Sequence, residues 1–107
     1  MMGFAVSTLD IPTTKTTSGV LFLSKDEIST APHYPCIRCG FCVDVCPMGL
    51  EPNQVSVYVE AGKPGNTEQF GVDDCFECGS CAFVCPAKRP LVQFMRLARA
   101  AIRAKKK

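Results

Sequence analysis

All eight cysteines of this 107-residue chain fall in two copies of one dodecapeptide, "CIRCGFCVDVCP" from Cys36 to Pro47 and "CFECGSCAFVCP" from Cys75 to Pro86. Each copy reads C-x2-C-x2-C-x3-C-P, and seven of the twelve positions are identical. Three thiolates spaced three residues apart let a tight loop wrap one compact inorganic core and reach three of its iron corners. The fourth cysteine lies beyond the wrap, and the proline after it turns the chain away. In two-cluster proteins with this run, the fourth cysteine ligates the other cluster. The expected sets are therefore Cys36, Cys39, Cys42 and Cys85 for one [4Fe–4S] cluster, cluster I, and Cys75, Cys78, Cys81 and Cys46 for the second, cluster II. Gly40 and Gly79 would let backbone N–H groups approach the sulfurs. The flanking Ile37, Phe41, Val45, Phe76, Phe83 and Val84 are expected to form a dry wall around the iron.

Other cysteine chemistries fit less well. Structural zinc is held by separated C-x2-C pairs that make one tetrahedral site. Disulfides need oxidising surroundings and would be strained at these spacings. The N-terminus "MMGFAVSTLD" has no basic region followed by a long apolar run, so no secretory signal is expected, and reduced thiols favour metal ligation. Beside the cysteines there is no G-x-G-x-x-G, no P-loop and no nucleophile paired with a histidine. Four cysteine ligands per cluster leave no open iron, which points to electron relay and to no catalytic site beyond it.

The rest of the chain must position these two loops. Hydrophobic residues make up 47% of the sequence, but eight of them are cysteines and Trp is absent, so the conventional core is thin. Chains of this size rely on cross-links to supply what burial cannot. Residues 1–35 carry strand and turn signals, "FAVSTLDIP", "TTKTTSG" and "VLFLS", and predict a short β-hairpin or an extended arm. Residues 36–107 form the expected two-cluster domain. Pro32 and Pro35 bracket His33, read as a connector residue and not a ligand. Between the motifs, "EPNQVSVYVEAG" sends opposed signals: Val55, Val57 and Val59 alternate as in a strand, whereas Pro52 suits a helix start and Gly62 a helix end. From Pro90 the pattern is helical. Leu91, Phe94, Met95, Ala98 and Ile102 share one face, and Arg96, Arg99 and Arg103 share another that is expected to point outward.

The formal charge of +2 is unevenly placed, because eight of the twelve bases follow Glu77, the last acidic residue. Such a segment suits an acidic partner or an anionic membrane surface. Nucleic acid is not an expected partner, since no aromatic residues interleave with the basic tail.

The segments "YPCIRCGFCVDVCPMGLEPNQ" and "FGVDDCFECGSCAFVCPAKRPLVQFMRLARAAIR" resemble the C-terminal ferredoxin region of the C subunit of the Rnf electron-transport complex. "MMGFAVSTLDIPTTKTTSGVLFL" is similar to that family's stretch just before its cysteines, so the resemblance covers essentially the whole chain. It implies a mainly α fold, an α-helical ferredoxin, with a helix at about residues 52 to 61 despite the local strand propensity. It implies an electron-transfer module of a membrane-bound, ion-translocating ferredoxin:NAD oxidoreductase, peripheral on the cytoplasmic side of the cell membrane. Its partners would be other subunits of that complex and a redox-partner iron–sulfur or flavin protein. Full-length members carry an N-terminal portion on which FMN and NADH are expected. Nothing in these residues matches that portion, so the chain is expected to be a fragment or a shortened form. A free soluble two-cluster ferredoxin is the rival expectation, and the basic C-terminus weighs against it.

Overall fold

The computed structural model describes residues 3–28 and 31–107, and the elements among them are helical: α1 (Phe41–Asp44), α2 (Pro52–Glu60), two 3-10 turns (Pro64–Phe70 and Val72–Asp74), α3 (Ser80–Val84) and α4 (Leu91–Lys106). The expected N-terminal β-hairpin is absent from the described residues. Residues 3–28 are exposed along their length, with Leu9, Leu21 and Phe22 more than 80% accessible. The reason lies in local side-chain hydrogen bonds. Thr17 Oγ1 accepts the Thr14 N–H and Glu27 Oε2 accepts the Ser24 N–H, at 3.0 and 2.8 Å. These local bonds close isolated turns and compete with ladder formation. A two-stranded hairpin without a face to pack on is marginal in any case.

In α2 the helical signals prevail over the alternating valines. Pro52 sits in the first turn, and the helix ends in a Schellman motif: Gly62 is left-handed at φ 73°, its N–H donates to Val59 O at 3.1 Å, and Lys63 N–H donates to Tyr58 O at 2.9 Å. Helical spacing then turns Val55 and Val59 to the same side and leaves Val57 exposed. A strand here would have no neighbour to pair with among the described residues.

Helix α4 carries the core. Leu91, Met95, Ala98 and Ile102 recur at helical spacing and are each no more than 2% exposed. Met95, Ala98 and Ile102 pack with Leu50, Val55 and Val72, against which the part-buried Cys46, Val59, Phe70 and Cys75 rest. Full burial of a side chain such as Leu91 or Met95 contributes about 1.5–3 kcal/mol. The core thus reaches the cysteines directly. Among the described residues, no helix is long and apolar enough to cross a membrane.

Candidate iron–sulfur sites

The two cysteine loops are built the same way, 39 residues apart. Arg38 and Glu77 both adopt the left-handed region, at φ 57° and 61°. That twist aims their N–H groups back at Cys36 Sγ and Cys75 Sγ, each at 3.4 Å. Gly40 and Gly79 follow, both at φ 81°, and open α1 and α3. The pattern continues past the fourth cysteines: Gly49 and Lys88 are left-handed at φ 67° and 54°, and α2 and α4 begin six residues after Cys46 and Cys85. α2 lies against α4, and α1 against α3, so the halves face each other about an approximate two-fold axis.

This arrangement sorts the cysteines into two cavities. Cys36, Cys39, Cys42 and Cys85 line the first, and Cys46, Cys75, Cys78 and Cys81 line the second. Each cavity takes three cysteines from one motif and the fourth from the other. Among the described residues, no three Cys, His, Asp or Glu side chains converge closely enough to hold a single metal ion. The thiols surround a space instead of a point, and that suits a polynuclear core better than one tetrahedral zinc.

The walls differ in part from expectation. Ile37 lines the first cavity, as read from the sequence, but Phe41, Phe76 and Phe83 stand more than half exposed and line neither cavity. Phe41 and Phe83 lie on the exposed sides of the short helices α1 and α3, and Phe76 points out from the second cysteine loop. The starts of α2 and α4 supply the wall instead, with Asn53 and Leu91 at the first cavity and Pro52, Val92 and Met95 at the second. Sequence reasoning missed these residues, although the shared six-residue offset from Cys46 and Cys85 to the helices was a usable signal. The positive ends of both helices consequently approach the sites where anionic clusters would sit.

The thiols differ among themselves. Burial pushes the Cys42 thiol up, and it pushes Cys81 up to about 11, with the charges of Cys75, Cys78 and Cys42 adding to the rise. Ser80 acts oppositely: its hydroxyl, 3.5 Å from Cys78 Sγ, and its backbone N–H hold the Cys78 thiol below its ordinary value. Leu50 N–H donates to Cys46 Sγ at 3.4 Å.

The basic face of α4 is not the outward stripe expected. Arg96 Nε and Arg99 Nη1 clamp the two carboxylate oxygens of Glu77 at 2.8 and 2.9 Å, and both arginine side chains are under 20% exposed. Arg99 also donates to the carbonyls of Val72 and Cys75, while Arg96 bonds Gly3 O at 3.0 Å and stacks over the Phe4 ring at 3.8 Å. Glu77 lies inside the second cysteine loop and draws both arginines inward to it. Arg103 alone of the three stays exposed. His33 packs edge-on to Phe94 and lies 3.7 Å from Glu60.

The chain is 44% identical over 110 residues to the C subunit of the proton-translocating ferredoxin:NAD(+) oxidoreductase complex of Clostridium ljungdahlii, covering 97% of the chain and 23% of that protein. It is 42% identical over 107 residues to the C subunit of the Na(+)-translocating ferredoxin:NAD(+) oxidoreductase complex of Acetobacterium woodii, covering 100% of the chain and 24% of that protein. It is 43% identical over 105 residues to the C subunit of the ion-translocating oxidoreductase complex of Edwardsiella ictaluri, covering 97% and 13%. The chain thus spans a quarter or less of the length of these curated relatives. The 4Fe-4S dicluster domain model matches residues 35–88, the stretch that holds all eight cysteines and both cysteine loops. With two paired cysteine loops and two [4Fe–4S] clusters as its cofactors, the chain belongs to the 4Fe-4S dicluster domain family.

Proposed function

We propose that the chain relays electrons through two [4Fe–4S] clusters within a membrane-associated, ion-translocating ferredoxin:NAD oxidoreductase of the Rnf type. The observation that carries this reading is the sorting of the cysteines into two cavities, each with three cysteines from one motif and the fourth from the other. On this reading Cys36, Cys39, Cys42 and Cys85 hold cluster I, and Cys75, Cys78, Cys81 and Cys46 hold cluster II. Such clusters supply one-electron transfer when bound. The chain's own residues set the conditions. Leu91 and Met95, each 1% exposed, keep water from the inner walls. The N–H groups of Arg38, Leu50 and Glu77 hold the sulfurs of Cys36, Cys46 and Cys75 and tune their electron density.

Residues 36–107 act as the two-cluster domain, and residues 1–35 act as an arm. The partners are other subunits of the complex and a redox-partner iron–sulfur or flavin protein. The chain is peripheral on the cytoplasmic side of the membrane, where Arg103, Lys105 and Lys107 at the exposed end of α4 meet an acidic partner or anionic lipid. Two experiments test this. Anaerobic reconstitution should give about eight iron and eight sulfide per chain; stoichiometric zinc without sulfide in anaerobically prepared native protein would end the reading. Purification from native membranes should recover the chain with the other subunits. Recovery only from the soluble fraction would favour a diffusible ferredoxin.

A further inference from the structure

The two cavities match in backbone and differ in one buried charge. Arg89 is 3% exposed and lies in the wall of the first cavity. At the equivalent position, 39 residues earlier, stands Leu50, which lines the second cavity. A buried guanidinium is costly unless its donors are used. Here Nη1 donates to Tyr34 O at 3.1 Å, Nη2 makes an ion-pair contact with Glu60 Oε2 at 2.7 Å, and Cζ lies 5.3 Å from the centre of the Phe94 ring. Among the described residues, Arg89 Nε has no hydrogen-bond partner.

We infer that Arg89 raises the reduction potential of cluster I, increasing its affinity for an electron. The inference rests on the reading that the cavities hold [4Fe–4S] clusters. One electron takes a cluster with its four thiolates from a charge of about −2 to about −3. The donor is a low-potential one-electron reductant, no bond forms or breaks, and no proton moves. A cation in the wall stabilises the more negative state, and low dielectric magnifies the effect. Glu60 offsets it incompletely, because its side chain is 40% exposed whereas that of Arg89 is 2% exposed, so water screens the carboxylate more. Arg38, also beside cluster I, is exposed and screened. At cluster II the carboxylate of Glu77 is in the wall, but Arg96 and Arg99 clamp it and are less exposed than it is, and Arg99 donates to the Cys75 carbonyl, so these charges set no order between the two clusters. The effect assigned to Arg89 is on cluster I itself.

The test is an anaerobic dithionite titration of the reconstituted chain followed by EPR. The two signals are assigned by which one changes in Cys39→Ser and which in Cys78→Ser. The unsubstituted chain supplies the reference potential of each cluster. Arg89→Leu, which copies Leu50, should lower the reduction equilibrium of cluster I at least tenfold, or 59 mV for one electron, and move cluster II less than twofold. Arg89→Lys, which keeps the charge, should recover part of the shift. Glu60→Gln leaves Arg89 charged without its counter-ion, so it should raise cluster I alone. A purely structural role would destabilise cluster I without this change of sign. The proposal is overturned if Arg89→Leu leaves cluster I within twofold, or if both clusters move together. Should Arg89→Leu fail to assemble, Glu60→Gln decides: a rise at cluster I supports the proposal, and no shift or a fall overturns it. An unsubstituted chain that lacks two [4Fe–4S] signals overturns the underlying reading, and that is seen before any variant is compared.

Discussion

Replacing Glu77 with glutamine removes one charge from a clamp that ties α4 to the second cysteine loop. Both carboxylate oxygens are engaged, by Arg96 Nε at 2.8 Å and Arg99 Nη1 at 2.9 Å, with Glu77 itself 23% exposed. At an effective dielectric of about 20, each contact corresponds to roughly 4 kcal/mol of attraction, most of it offset by desolvation and side-chain ordering. Exposed pairs contribute about 0–1 kcal/mol, and breaking a buried pair costs about 3–5. With side chains 15–23% exposed, Glu77→Gln belongs between these limits, at about 2 kcal/mol. The variant should keep its Cys75 hydrogen bond, which comes from the backbone. Because cluster loss makes unfolding irreversible, the fitting assay is the bleaching rate of the visible cluster absorbance in urea, which adds no ionic strength. A loss of about 2 kcal/mol sets an upper limit of about thirty-fold faster bleaching. In 1 M salt the difference should persist, since part-buried pairs are little screened. A cycle with Arg99→Met should show coupling of about 1 kcal/mol or more. Bleaching unchanged within twofold, or effects of Glu77→Gln and Arg99→Met that simply add, would refute the clamp.

Other outcomes follow from the same geometry. Cys46→Ser should damage the cluster held by Cys75, Cys78 and Cys81 and spare the one nearest in sequence, as read by EPR; loss of the Cys36-side cluster alone would reject crossed ligation. Lys88→Gly should raise the melting temperature slightly, because a left-handed lysine at φ 54° costs about 1–2 kcal/mol and glycine returns only part of that as chain entropy. In reduced protein without clusters, a Cys81 thiol raised to about 11 contributes stability below about pH 9 that is lost as pH climbs through 11. Unfolding free energies from urea titrations at pH 8 and pH 10.5 should differ by roughly 1 kcal/mol after allowance for solvent screening, with the alkaline sample the weaker. Replacing Arg103, Lys105 and Lys107 by glutamine should leave both clusters intact and weaken salt-sensitive association with membranes; salt-insensitive association would return these residues to simple solvation.

The cysteine spacing made the chemistry legible because ligand geometry leaves few ways to place four thiolates around an iron–sulfur core. Helix α4 was legible for a similar reason: Leu91, Met95, Ala98 and Ile102 keep one period along one buried stripe. The α2 segment was harder, since Val55, Val57 and Val59 satisfy a strand pattern locally and only the missing partner strand and the Gly62 cap decide against it. Arg96 and Arg99 were misread as a free stripe because periodicity places them on one face without showing that Glu77, some twenty residues away, is folded under it. Arg89 and the exposed phenylalanines were opaque for the same cause. Their surroundings are set by the pairing of two halves and not by their own neighbours.

That pairing also bears on how the protein is made. Cys36 and Cys85 line one cavity but are 49 residues apart in the chain. At about 5–20 residues per second, roughly 2 to 10 s pass on the ribosome between the first thiol and the last wall-forming cysteine. During that interval the nascent chain presents up to seven thiols with no finished cavity around them. Iron and sulfide delivered then would meet an incomplete cage, and oxidants would meet unguarded sulfur. With crossed ligation as proposed, neither set of four cysteines is complete until both motifs have emerged.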